Sequence, residues 1–233
     1  MVSSATALTI EEIRFPAAGD RLQGELAYAD GGPALGAAVL AGPHPLLGGN
    51  LRNNVVRGLG DGLAARGVAT LRFNYCGVGQ SEGPPVDVAR HLAEFWQTSH
   101  VSGEAGLADD VRGAADFLRA TVGPDLPLAL VGYSFGCSLL PRVCREVECS
   151  ALVLVAPTVG KHDYDSFLSL NLPVLVVASE DDFAADAGQL RAWFDRLPGR
   201  KELSLGQLDN HFFRGHEDRV AETVFDFLRR QGS

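Results

Sequence analysis

The stretch LVGYSFGCSLL, residues 130–140, sets Ser134 between Gly132 and Gly136, with apolar residues before and after. A serine that only decorates a surface has no need of glycine two positions away on each side. Glycine is called for where a Cβ would collide or where the backbone leaves its ordinary range. The apolar run before Ser134 has the length of a buried strand, and the run after it suits a helix. A G-x-S-x-G sequence at a strand–helix junction is the nucleophile elbow. The turn is sharp enough to hold serine in a strained backbone conformation, at about 1–3 kcal/mol. It projects Oγ out over the sheet and places the Phe135 N–H at the start of a helix dipole, where it can donate to an oxyanion.

Outward from this turn the chain alternates. Before it come LTIEEIRF (8–15) and RLQGELAYA (21–29), which flank Gly19-Asp20 and suggest an antiparallel hairpin. GAAVLAG (36–42) reads as a short buried strand ending at Pro43 and Pro45, and VATLRFN (68–74) as another, preceded by a helix over about 53–66. LADDVRGAADFLRAT (107–121) puts Leu107, Val111, Ala114, Ala115 and Leu118 on one helix face, ahead of the strand LPLALVG (126–132). ALVLVAP (151–157), PVLVVAS (173–179) and KELSLG (201–206) are further strands, and a last helix (216–230) buries Val220, Val224, Phe227 and Leu228. Near-continuous apolar strands alternating with helices imply a mostly parallel sheet covered on both faces.

The chain has 233 residues, enough for one large core, and no repeat, low-complexity tract or linker divides it. One α/β domain over 1–233 is expected. A formal net charge of −9, with no offsetting basic stripe, argues against nucleic acid and anionic membranes as partners. The N-terminal MVSSATALTIEEIRF lacks the features of a signal peptide. No run approaches the roughly 20 apolar residues of a membrane helix. Cys76, Cys137, Cys144 and Cys149 form no CxxC pair, so four reduced, mostly buried thiols and a cytoplasmic location are expected.

Serine is a poor nucleophile without a base, normally a histidine oriented by a carboxylate. In a sheet of this kind the chain order is Ser, then Asp or Glu, then His. Beyond Ser134 stand His162, His211 and His216. His162 precedes every candidate acid and reads as a surface loop residue. His216 falls at a helix N-terminus, where a protonated imidazole is disfavoured. His211, on the loop between strand 201–206 and the last helix, is the base. The acid follows PVLVVAS, where Glu180, Asp181 and Asp182 are all candidates and spacing does not choose among them.

With these residues in place the chain resembles the α/β-hydrolase superfamily over nearly its whole length. It is most similar to small, lidless bacterial members with a His-Pro-His-Pro-Leu-x-Gly-Gly loop after the third strand. Here that loop is Gly42-Pro43-His44-Pro45-Leu46-Leu47-Gly48-Gly49, so the first histidine is missing. LRFNYCGVGQSEG (71–83), the elbow, LVLVAP and NHFF also fit the pattern. In such relatives the acid is the third residue after a strand-ending glycine. Ser179 stands in that place, so the resemblance implies Asp182 as the acid, with Asp181 as second candidate. It also implies an oxyanion N–H from the His44–Leu46 loop, for which Leu46 is selected. His44 keeps both a structural and a substrate-facing role open.

GVGQSEG (77–83) lacks the spacing of a dinucleotide loop, and Pro84-Pro85 prevents a helix from opening there. No Walker loop, HExxH or Cys/His ligand set is present, so no metal or cofactor is expected. Cys137 reads as a packing residue. The connection over 84–106 is unusually long and reads as an inserted cap or lid. Its stretch ARHLAEFWQTSHV (89–101) suits a short amphipathic helix whose Phe95 or Trp96 meets the substrate. His44 and Tyr133 complete the expected substrate contacts. The expectation is a serine hydrolase acting on a small-molecule acyl substrate, by ester or thioester cleavage through an acyl-enzyme. Acyl transfer, peptide hydrolysis and carbon–carbon cleavage use the same machinery, and a catalytically silent binding module is the alternative of another class.

Overall fold

A computed structural model describes residues 7–98 and 101–231. Eight strands form one sheet in the order β1-β2-β4-β3-β5-β6-β7-β8. They are β1 (Leu8–Ala17), β2 (Asp20–Ala29), β3 (Gly36–Ala41), β4 (Val68–Phe73), β5 (Leu128–Tyr133), β6 (Ala151–Val155), β7 (Val174–Ser179) and β8 (Lys201–Gly206). β1 pairs antiparallel with β2 and β2 with β4, and every other pairing is parallel. The hairpin closes on a two-residue turn, Ala18 and Gly19, both at positive φ, one residue earlier than expected.

Six helices cover the sheet: α1 (Asn54–Ala64), α2 (Val88–Thr98), α3 (Leu107–Val122), α4 (Gly136–Val143), α5 (Ala187–Arg196) and α6 (Glu217–Arg229). Every residue of β3, β4, β5, β6 and β7 is buried, and alternate residues serve alternate faces. Leu130, Leu152 and Val176 face α3, α4 and α5, whereas Val131, Val153 and Val177 face α1 and α6. α5 was not anticipated. Its signals are nonetheless present: Leu190, Trp193 and Phe194 are buried at helical spacing, and Asp186 caps the helix by accepting the Gln189 N–H at 2.8 Å. Of the four cysteines only Cys137 is fully buried, and the others are half-buried. Among the described residues no helix is long and apolar enough to cross a membrane.

The 84–106 connection carries α2 and a 3-10 turn over Glu104–Gly106; its residues 99 and 100 lie outside the described ones. α3 follows directly, and its Asp110, 2% exposed, accepts the Cys76 N–H at 2.8 Å, fixing the turn after β4. Burial pushes the Asp110 carboxyl up from 3.8 to about 6, against the pull of the Cys76 N–H and with the help of Asp20 and Asp109. A carboxyl raised on folding favours the folded state most below its unfolded value, and that contribution is lost as pH rises through the folded one. Asp110→Asn keeps an acceptor for Cys76 without the charge. Relative to wild type, its stability should therefore rise by about 2 kcal/mol between roughly pH 4.5 and 7.5. Urea unfolding across that interval checks this, and a pH-independent difference refutes it.

Candidate active site

β3 and β5 lie side by side at the centre of the sheet while their connections run to opposite sides, the arrangement that opens a crevice at the carboxyl ends of strands. Ser134 stands there, at φ 56°, with its N–H bonded to Val155 O at 2.9 Å. Both flanking glycines are forced by contact. A Cβ on Gly132 would sit 2.6 Å from the Cys137 backbone, and one on Gly136 would run into the Ala41 carbonyl and lie 2.6 Å from Gly42 O. The second collision is with the end of β3, not with the elbow's own strand. The elbow is thus wedged under the loop that starts at Gly42.

His211 arrives on the loop after β8. Phe213, fully buried and at φ 50°, pins that loop, and the Leu208 N–H donates to Ser179 Oγ at 3.3 Å. The buried Tyr133 hydroxyl donates to His211 O at 3.1 Å. Tyr133 lines the cleft, but its polar atom holds the histidine's backbone. Asp182 follows β7 and is fixed by the Ala184 N–H at 2.7 Å. Its two oxygens lie 2.9 Å from His211 Nδ1, and His211 Nε2 lies 2.8 Å from Ser134 Oγ. Side-chain exposure is 7% for His211 and 3% for Asp182, so the pair interacts with little screening. Asp181 is exposed, and Glu180 pairs with Arg191 on the surface.

Some backbone N–H groups around Ser134 have no protein acceptor among the described residues. One is that of Phe135, as expected. In the loop after β3, the His44 N–H and that of Leu46, the expected second donor, likewise have none. Leu46 is buried in the 3-10 turn Pro45–Leu47 and forms no part of the cleft wall, which takes Pro43, His44, Leu47, Gly48 and Gly49 from this loop. The Gly48 and Gly49 N–H groups are spent on Pro45 O and His44 O. Proline has no N–H, and the Leu47 N–H is spent on His44 O at 3.2 Å. The His44 N–H is left. The His44 ring stacks on Phe135, centroids 4.2 Å apart, and its Nε2 lies 2.9 Å from Glu104 Oε1, so the 84–106 connection is tied to this loop.

Residues 48–170, more than half of the chain, match the family described as serine aminopeptidase, S33. The chain belongs to that family. The matched stretch contains the elbow and ends before Asp182 and His211. An uncharacterized protein of Rickettsia prowazekii is 24% identical over 93% of this chain and 88% of its own length. Two solved structures share the α/β-hydrolase fold. One is an alpha-beta serine hydrolase homologue from Coxiella burnetii (TM-score 0.76, 24% identity, 94% of this chain and 97% of that one). The other is a serine hydrolase without lid from Xanthomonas campestris (TM-score 0.78, 22% identity, 98% of this chain and 97% of that one).

In this family member the cleft over Ser134 measures about 1180 Å³. α2 supplies Leu92 and Phe95 to one wall, with Val101 and Glu104 beyond it. Trp96 does not join them: it is 80% exposed and lies outside the lining. Phe183 and Phe212 pack on His211 at 5.2 and 5.8 Å, and α4 lends Ser138, Pro141 and Arg142. His162, expected on the surface, also lines the cleft; its ring meets Phe135 at 5.3 Å and its Nδ1 lies 2.9 Å from Thr158 Oγ1. Only its place just after β6, on the carboxyl edge of the sheet, could have signalled that. No group of metal-ligating side chains suited to an ion occurs among the described residues.

Phe95→Ala should raise KM for long-chain or aromatic esters by about ten-fold, the worth of one partly buried ring. Trp96→Ala should leave KM and kcat unchanged across substrates of different size. The opposite ranking in steady-state kinetics would refute this assignment of the wall.

Proposed function

We propose that the protein is a serine hydrolase that cleaves a carboxyl ester or thioester through an acyl-enzyme on Ser134. One observation carries this reading: the unbroken line from Asp182 through His211 to Ser134 Oγ, at 2.9 and 2.8 Å. With the neutral imidazole's proton on Nδ1, donated to Asp182, the Nε2 lone pair accepts the serine hydroxyl. As Oγ attacks the acyl carbon its proton passes to Nε2. The carbonyl electrons move onto the oxygen, which the Phe135 and His44 N–H groups receive. Asp182 stabilises the imidazolium. Collapse of the intermediate expels the alcohol or thiol, which takes the proton from Nε2. Water then repeats the sequence with His211 as base, releasing the acid and restoring Ser134. Proton transfer contributes roughly 10²–10⁴-fold, and each oxyanion donor about 10²–10³-fold.

The cleft favours an ester over a peptide with a free amino terminus. An ammonium group calls for an available carboxylate near the serine. Glu104 is engaged by His44, and Asp163 accepts the Ser166 hydroxyl and the Asp165 N–H.

A fluorophosphonate should label wild-type protein covalently and fail to label Ser134→Ala. Asp182→Asn should lower kcat on p-nitrophenyl esters by roughly 10⁴-fold through loss of the productive tautomer. Asp181→Asn should change kcat less than two-fold, a surface substitution far from the line. A folded wild type that takes no label would favour the silent binding module. Label retained by Ser134→Ala would place the nucleophile elsewhere.

A further inference from the structure

The acyl-enzyme reading leaves one wall of the cleft without a task. On α4 and the turn continuing it, Ser138, Pro141, Arg142 and Arg145 line the cleft at helical spacing, while Cys137, Leu140 and Val143 face the core. Across from them the loop after β6 brings Lys161 to the same wall. Three cations therefore converge in a chain whose net charge is −9. Arg142 is braced by both Asp109 oxygens at 3.2 Å. Arg145 and Lys161 are exposed, and neither forms an ion pair among the described residues. Asp163 of the lining accepts from the Ser166 hydroxyl and the Asp165 N–H, which hold its carboxyl below the ordinary value with a smaller contribution from the Arg145 charge.

The side of the reaction served by this wall follows from the base. His211 Nε2 must deliver its proton to the departing group, so that group leaves past Phe183 and Phe212, the rings packed on His211. The cationic wall belongs to the other side, where His162 meets Phe135. Arg142 lies six residues into α4, about 9 Å along its axis from the elbow, the reach of a medium-length acyl chain.

We propose that the acyl part of the substrate ends in an anion, a carboxylate or a phosphate-type group, received by Arg145 and Lys161 beside Arg142. The inference rests on the acyl-enzyme reading, and binding to Ser134→Ala protein tests it apart from catalysis. Monomethyl suberate, methyl 7-phosphonoheptanoate and dimethyl suberate share one methyl ester and one length and differ in the distal group. By titration calorimetry, monomethyl suberate or the phosphonate should bind at least about ten-fold tighter than the uncharged dimethyl ester, two exposed cations each contributing a few-fold. The better of the two identifies the anion. Arg145→Gln and Lys161→Gln should each lower that preference about three-fold, and together abolish it. Both side chains are exposed, so the fold is not at stake. Equal binding of charged and uncharged ligands, a preference that survives the double substitution, or no binding of any of them overturns the inference. Failure of the acyl-enzyme reading shows separately, as p-nitrophenyl octanoate turnover that survives Ser134→Ala.

Discussion

The site depends on the contact between the elbow and the end of β3. Gly136 lies so close to the Ala41 and Gly42 carbonyls that no side chain fits between them. That closeness brings the N-terminus of α4 and the loop beginning at Gly42 together around one point. The positive φ of Ser134 is a consequence: the chain must reverse within two residues to leave β5 and enter α4 beneath that loop. Such a conformation persists only where its surroundings over-determine it. Here β3 and β6, one on each side of β5, do so, the latter through the Ser134 N–H to Val155 O bond. The proposed oxyanion donors, the Phe135 and His44 N–H groups, therefore sit at the ends of rigid strands, β5 and β3, and no flexible element has to close.

How much of this was legible follows from the kind of physics each feature uses. The parallel strands could be read because burial on both faces demands unbroken apolar runs, and LVLV or VLVVA admits little else. Ser134 could be read because steric exclusion forces glycine at fixed offsets. His211 followed from chain order. The acid did not follow from spacing: Glu180, Asp181 and Asp182 are equivalent until the Ala184 N–H closes a turn on Asp182 and aims it at Nδ1. A hydrogen bond between adjacent residues leaves no mark on composition.

Leu46 and Trp96 lie outside the cleft lining for a related reason. Leu46 becomes a core residue once residues 45–47 wind into a 3-10 turn, and that turn spends the Leu47 N–H locally. Phe95 and Trp96 are neighbours on a helix, about 100° apart, so only one of them can face the cleft. Amphipathicity alone favoured neither. The cationic wall escaped for a further reason: Lys161 comes from the loop after β6 and not from α4 and its continuing turn, which carry Arg142 and Arg145, and a net charge of −9 hides the three.

The two halves of the cleft use charge under opposite conditions. Asp182 and His211 interact almost wholly out of water, where a charge pair is strong and an unpaired charge is costly. In the proposed reaction an imidazolium formed there is tolerable only because Asp182 is already in place, beside Nδ1 at 2.9 Å. Arg145 and Lys161 stand in solvent, where each ion pair is weak and screened by salt. A wall of that kind adds little to transition-state stabilisation, since it meets the substrate equally before and during attack. Its effect belongs to KM and to the choice among acyl groups. In the proposed reaction the same helix, α4, divides these tasks along its length: its N-terminus would polarise the reacting carbonyl, and its far end would sort what that carbonyl carries.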